Sequence, residues 1–159
     1  MGTGKTVVGK FLAQKLGNDF IETDEKIESK QGKKIVDIFS QNGEEYFRAL
    51  EKEIIRELST QKDLVISCGG GLICNPENLE LLKKTGLVFC LKASAETIYE
   101  RTKKDKNRPL LNVDDPLGKI KKLLQERMFY YDQAHYKIDT EGLSPDGVVG
   151  KIISILNDG

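Results

Sequence analysis

Tryptophan is absent from the chain, histidine occurs once, as His135, and cysteine three times, as Cys68, Cys74 and Cys90. Three cysteines are an odd number, none stands two residues from another, and one histidine adds a single ligand, so neither a disulfide framework nor a zinc site has enough partners. Histidine-based acid–base chemistry has that one candidate. Long apolar runs are lacking too. The longest, Leu87 to Leu91, is five residues, against the roughly 20 that a membrane helix needs. Neither sign of charge is in excess, with 25 Lys and Arg against 25 Asp and Glu, which argues against a nucleic-acid footprint, an acidic tail or a disordered polyelectrolyte. A soluble, cytoplasmic protein with no nucleic-acid or membrane partner is expected. Its 159 residues suffice for one domain with a buried core, and a monomer is the default.

Strand-like and helix-like segments alternate along the whole length, which predicts an α/β fold with a parallel sheet. Four short β-rich runs, Phe20 to Thr23, Leu64 to Ser67, Leu87 to Lys92 and Tyr136 to Thr140, read as buried parallel strands. Helical stripes lie between and after them. They are Val8, Leu12 and Leu16 ahead of Gly17; Phe47, Leu50, Ile54 and Leu58; Leu117, Ile120, Leu124, Met128 and Tyr131 after an Asp115-Pro116 start; and Val148, Val149, Ile152, Ile153 and Leu156 after Ser144-Pro145. Core packing accounts for each stripe. Residues 24–57 hold several short helical patterns in one crossover and suit a substrate-binding excursion. Residues 103–115 are polar, carry Arg108-Pro109 and suit a mobile lid.

Gly2-Thr3-Gly4-Lys5-Thr6 opens a helix and matches the end of the phosphate-binding pattern G-x-x-x-x-G-K-[ST]. Backbone N–H groups beside the glycines and at the helix start wrap phosphates, the lysine reaches the β/γ oxygens, and the hydroxyl sits on Mg²⁺. The first glycine of the pattern would fall two positions before Met1, and the strand that feeds such a loop is not in the sequence. Met1 is therefore expected to be internal to a longer, N-terminally truncated chain.

Glu22 and Asp24 have period 2 at the end of a strand and so share a side, where open α/β sheets bind ligands. One can stand near Mg²⁺ while the other accepts a proton from a hydroxyl nucleophile; the plainer alternative is a helix cap at Asp24 beside a solvated Glu22. Arg48 and Arg127 lie on two different helices. Converging on one pocket they would grip a carboxylate with forked hydrogen bonds, and the alternative is a pair of surface ion pairs. Glu51, three residues beyond Arg48, is placed to orient it. Gly69-Gly70-Gly71 directly follows a strand, where it allows a ligand to approach the backbone or simply makes a tight turn. Cys68 and Cys90 read as buried small residues.

Taken together and in this order, the P-loop end, the acidic pair, Phe47-Arg48, the triple glycine and Arg108-Pro109-Leu110-Leu111 resemble the shikimate kinase family along essentially the whole chain. The resemblance implies a three-layer P-loop kinase fold of the nucleoside-monophosphate-kinase type, with a five-stranded parallel sheet of order 2-3-1-4-5. It implies ATP as co-substrate, bound by Gly2, Thr3, Gly4, Lys5, Thr6 and Arg101 together with the Asp139 to Pro145 turn, and Mg²⁺ held at Thr6 and Glu22. Shikimate would be held by Asp24, Arg48, Gly69, Gly70, Gly71 and Arg127, with Lys5, Asp24 and Arg108 as the catalytic residues. Glu22 stands where the family has the first Asp of its D-x-D pair. Its arm is one methylene longer, which leaves direct and water-mediated metal contact both open. A gluconate-type kinase of the same fold and a catalytically impaired, shikimate kinase-like binding protein are the alternatives.

Overall fold

The computed structural model describes residues 2–103, 111 and 113–158. Its helices begin and end where the local chemistry dictates. The first helix, α1 (Lys5–Leu16), starts at Gly4 and stops at Gly17, both left-handed, and the Gly17 cap returns N–H groups to the Ala13 and Gln14 carbonyls. After strand β1 (Asp19–Glu22) comes α2 (Thr23–Gln31), ended by left-handed Gly32. Next, α3 (Ile35–Leu58) is kinked at Gly43, where φ 81 and ψ 174 interrupt the helix. The expectation of several helical pieces across this crossover holds.

Strand β2 (Leu64–Ser67) leads through the glycines and a short turn of 3₁₀ helix to α4 (Pro76–Thr85), capped by Asn75. Strand β3 (Phe89–Lys92) leads to α5 (Ala95–Thr102), capped by the Ser94 hydroxyl. The Asp115 carboxylate caps α6 (Pro116–Tyr131), accepting from the Gly118 N–H at 2.9 Å. Strand β4 (Tyr136–Asp139) then precedes α7 (Pro145–Asp158).

The strands form two parallel pairs. In one, Asp19 of β1 lies opposite Leu64 of β2 and Glu22 opposite Ser67; in the other, Phe89 of β3 lies opposite Tyr136 of β4 and Lys92 opposite Asp139. Both pairs are parallel, as expected, and no ladder joins the two among the described residues. Each strand therefore keeps one unpaired edge, so most strand residues are half-buried rather than the fully buried ones expected from their composition.

Three apolar clusters hold the layers together. Val8 and Leu12 of α1 meet Ile138 and Val148, Val149 and Ile152 of α7; Ile27 of α2 meets Phe47, Leu50, Ile54 and Leu58 of α3; Ala95 and Ile98 of α5 meet Ile120 of α6. Two stripe residues depart from expectation. Leu16 is exposed at the last turn of α1, and Met128 is 52% exposed on α6, where Leu123 is buried instead. The inward stripe of α6 thus drifts around the helix, as a 3.6-residue period makes any strict four-residue spacing do. His135 sits before β4, its Nδ1 accepting the Val88 N–H at 3.0 Å. That is the end where the strands start, opposite their carboxyl ends.

Because Ile54 is among the fully buried side chains, Ile54→Ala should lower the unfolding free energy by about 2–5 kcal/mol through lost transfer and a residual cavity. Urea denaturation with an unchanged m-value checks this.

Candidate active site

A cleft of about 1000 Å³ opens at the carboxyl ends of the strands, and three groups of residues line it. At one end lies the glycine loop. Gly2 and Gly4 have φ of 60 and 88, conformations that an L side chain rarely adopts. A Cβ on Gly2 would stand 2.8 Å from the Thr102 methyl of α5, so the loop is packed flat against that helix. Gly4 is the N-cap of α1 and supplies no side chain, which leaves the first N–H groups of the helix without a side-chain acceptor, and no acidic residue stands in that turn. An anion is the natural complement of such a helix start. Lys5 and Thr6 lie in the same turn, and the Thr6 hydroxyl donates to Glu22 Oε1 at 3.0 Å, tying α1 to the end of β1.

At the other end, the triple glycine is a seat for charged side chains. A Cβ on Gly69 would lie 2.7 Å from Asp24 Oδ1, and one on Gly71 would lie 2.7 and 2.8 Å from Arg48 Nη1 and Nη2. Only hydrogen at these positions lets the carboxylate and the guanidinium reach the backbone. The loop is held by the Gly69 N–H, which donates to Thr23 Oγ1 at 2.9 Å, and by the Gly70 carbonyl, which accepts from the Tyr131 hydroxyl at 2.9 Å. Arg48 Nη1 donates to Glu51 Oε2 at 2.7 Å, while Nη2 and Nε donate to Glu44 Oε1 at 2.8 and 3.2 Å. Three of five guanidinium N–H groups are so used, leaving one on each terminal nitrogen for a ligand.

Burial works against the Arg48 charge, but the bonds to Glu51 and Glu44 outweigh it and hold the group firmly protonated. Glu51 is 1% exposed. Burial pushes its carboxyl above the usual range and nearby Asp24 adds to this, while Arg48 and Arg127 pull it back down. Two carboxylates and two guanidiniums therefore share one small region.

The third group flanks the glycine loop. Arg101 of α5 donates to Thr140 Oγ1 at 3.3 Å, and Thr140, Leu143, Pro145 and Val148 line the cleft beside it. Leu111 lines it as well, whereas Arg108, Pro109 and Leu110 and most of the expected lid lie outside the described residues.

The cleft thus brings together every other expected site residue: Gly2 to Thr6, Glu22, Asp24, Arg48, Gly69 to Gly71, Arg101 and Arg127. One placement differs in its reason. Asp24 is not on the strand beside Glu22 but in the first turn of α2, and the cleft collects both because β1 ends where α2 begins. Arg48 packs on Gly71 inside the cleft and also makes the ion pairs open to a helix arginine, with Glu44 and Glu51. Thr23 and Tyr131 escaped sequence reading. Thr23 is the uncharged residue between two acids, and Tyr131 was absorbed into an apolar stripe; its only sequence signal is that it follows Arg127 by one helical turn.

The chain matches the family model described as shikimate kinase over residues 1–157. A shikimate kinase of Thermodesulfovibrio yellowstonii is 52% identical over 96% of this chain and 88% of that protein, and one of Pelotomaculum thermopropionicum is 46% identical over 99% and 92%. Among solved structures, the shikimate kinase of Acinetobacter baumannii in complex with shikimate superposes with a TM-score of 0.96 at 41% identity, covering 99% of this chain and 89% of that one. That of Aquifex aeolicus has a TM-score of 0.87 at 38% identity, covering 99% and 92%.

Cys68 borders the glycines, and although the residue is partly exposed its thiol is enclosed. Burial pushes its pKa up to about 12, with Lys5 pulling the other way. As the thiolate is the reactive form, Cys68 should react with a disulfide reagent at pH 8 at least roughly 100-fold more slowly in the native protein than after unfolding. Stopped-flow thiol labelling, with Cys68→Ser to assign the phase, measures it.

Proposed function

The chain belongs to the shikimate kinase family, and on that premise we propose how its cleft carries out the ATP-dependent phosphorylation of shikimate. The 3-hydroxyl of shikimate attacks the γ-phosphate of ATP, giving shikimate 3-phosphate and ADP. The observation that carries this reading is the seating of Asp24 on Gly69 and of Arg48 on Gly71, in the same cleft as the free helix start at Gly4 to Thr6. A nucleotide triphosphate suits one end and a small hydroxylated acid the other.

In this reading Gly2 to Thr6 hold the phosphates, with Lys5 against the β/γ oxygens, and Arg101 with the Asp139 to Pro145 turn flanks the base. Arg48 and Arg127 grip the shikimate carboxylate, Gly69 to Gly71 lie along its ring, and Asp24 orients the hydroxyl and takes its proton. Phosphoryl transfer passes through a loose transition state, so alignment and cations on the equatorial oxygens do most of the work. Lys5 supplies one such cation and Arg108, brought in by the 103–115 lid, supplies another while water is excluded.

The donors at the phosphate end fit Mg²⁺. Thr6 Oγ1 and Glu22 Oε1 are hard oxygens 3.0 Å apart, the donor type that Mg²⁺ takes beside substrate phosphates and water. Thr6 and Glu22 would hold it there, and when bound it neutralises phosphate charge.

Residues 24–57 serve as the substrate-binding segment of a single domain. Since one chain lines both ends of the cleft, a monomer in the cytoplasm suffices for the reaction.

Coupled ADP release measured with shikimate, with gluconate and with no acceptor tests the assignment. Turnover with shikimate alone is expected; acceptor-independent or gluconate-dependent turnover would overturn it. Arg108→Ala should lower kcat by about 100-fold, as loss of a group that acts in the transition state does. Arg127→Ala should instead raise the KM for shikimate by about 10- to 100-fold, the size of a lost charge-assisted hydrogen bond. In steady-state assays, equal effects of the two substitutions on both parameters would contradict this division. Arg48→Lys keeps the charge but loses the fork, and should weaken shikimate binding by about tenfold in titration calorimetry.

A further inference from the structure

Tyr131 sits in the last turn of α6, one turn beyond Arg127 and on the same helix face. Its hydroxyl has one proton, which goes to the Gly70 carbonyl at 2.9 Å across a separation of 61 residues. Arg127, one turn earlier on the same helix face, is near enough for its charge to pull the phenol's pKa down. Burial keeps the phenol in its protonated, donating form against the pull of Arg127.

Gly70 is the middle residue of the loop that seats Asp24 on one neighbour and Arg48 on the other. One hydroxyl therefore joins the helix that carries Arg127 to the backbone that supports the other two polar groups. The remaining ties of the loop come from elsewhere: Thr23 holds Gly69, and the buried Asn78 side chain donates to the Leu72 carbonyl just after it at 3.1 Å. The Tyr131 hydroxyl ties α6, the helix that carries Arg127, directly to the middle glycine of the loop.

We propose that Tyr131 is a positioning residue for the substrate acid: it sets Arg127 and the glycine loop at a fixed separation, so that the carboxylate grip and the hydroxyl alignment hold the same molecule. The proposal rests on the shikimate kinase reading above. Tyr131 acts through Arg127 and Gly70 and does not line the cleft itself. Removing the hydroxyl leaves the ring to fill its place and the Gly70 carbonyl without its donor.

The test is steady-state kinetics of Tyr131→Phe, Arg127→Ala and the double variant, with both substrates varied. Wild-type turnover of shikimate is measured first, and its absence would sink the underlying reading rather than this inference. Given that turnover, Tyr131→Phe should raise the KM for shikimate about three- to tenfold, as expected for one hydrogen bond, while the KM for ATP stays within twofold. In the Arg127→Ala background the same change should raise the shikimate KM by clearly less than it does in the wild type, since coupled residues are not additive. An unchanged shikimate KM in Tyr131→Phe would overturn the proposal. So would a parallel rise in both KM values, which marks general loosening of the fold, or the same rise with and without Arg127. Should Tyr131→Phe be poorly folded, comparing shikimate with its methyl ester in the wild type and in Tyr131→His supplies the readout. A narrowed preference for the acid supports the positioning role and an unchanged preference refutes it.

Discussion

Charged side chains rest directly on a backbone that carries no side chains of its own, and the site depends on that contact. With Asp24 Oδ1 2.7 Å from where a Gly69 Cβ would be, and Arg48 at the same distance from that of Gly71, substitution by even alanine would force one of them away. The three glycines thus let an acid and a base from two different helices meet beside the end of β2. Glu51 completes the arrangement from below. It is a buried carboxylate that costs solvation to charge, yet it holds Arg48 through a 2.7 Å bond, so stability is traded for orientation.

The opposite end of the cleft works with unfilled backbone rather than filled. Gly4 caps α1 without a side chain, and Gly2 packs on Thr102 of α5. The glycine loop is thus set against the last turn of α5. Thr6 and Glu22 close the gap to β1, from which the chain passes directly into Asp24. The two ends of the cleft are therefore joined through a stretch of three residues, Glu22 to Asp24.

Much of this was legible before any coordinates. Strand β2 has the bounds read from its β-branched run; Gly17, lacking a side chain, turns left-handed to stop α1, and the Asp115 and Ser144 side chains cap the starts of α6 and α7. The residues that line the cleft are legible because their chemistry is carried by rare types at ordered positions: a G-K-T, three consecutive glycines and arginines on amphipathic helices. What the sequence did not disclose was relational. Period-2 spacing put Asp24 on a strand, though a helix starting at Thr23 brings it to the same cleft. Apolar periodicity took Met128 and Tyr131 as equivalent, though one is exposed and the other donates to Gly70. Half-burial of the strands depends on what lies at each edge, which no local pattern encodes.

The most direct measurement is a crystal structure of the chain with shikimate and ADP bound together. The shikimate carboxylate should lie within hydrogen-bond distance of both Arg48 and Arg127, its 3-hydroxyl beside Asp24 and turned toward the nucleotide phosphates at Gly2 to Thr6. A carboxylate held instead at Lys5, or Arg48 and Arg127 on separate ligands, would contradict a cleft built to hold an acid at one end and phosphates at the other.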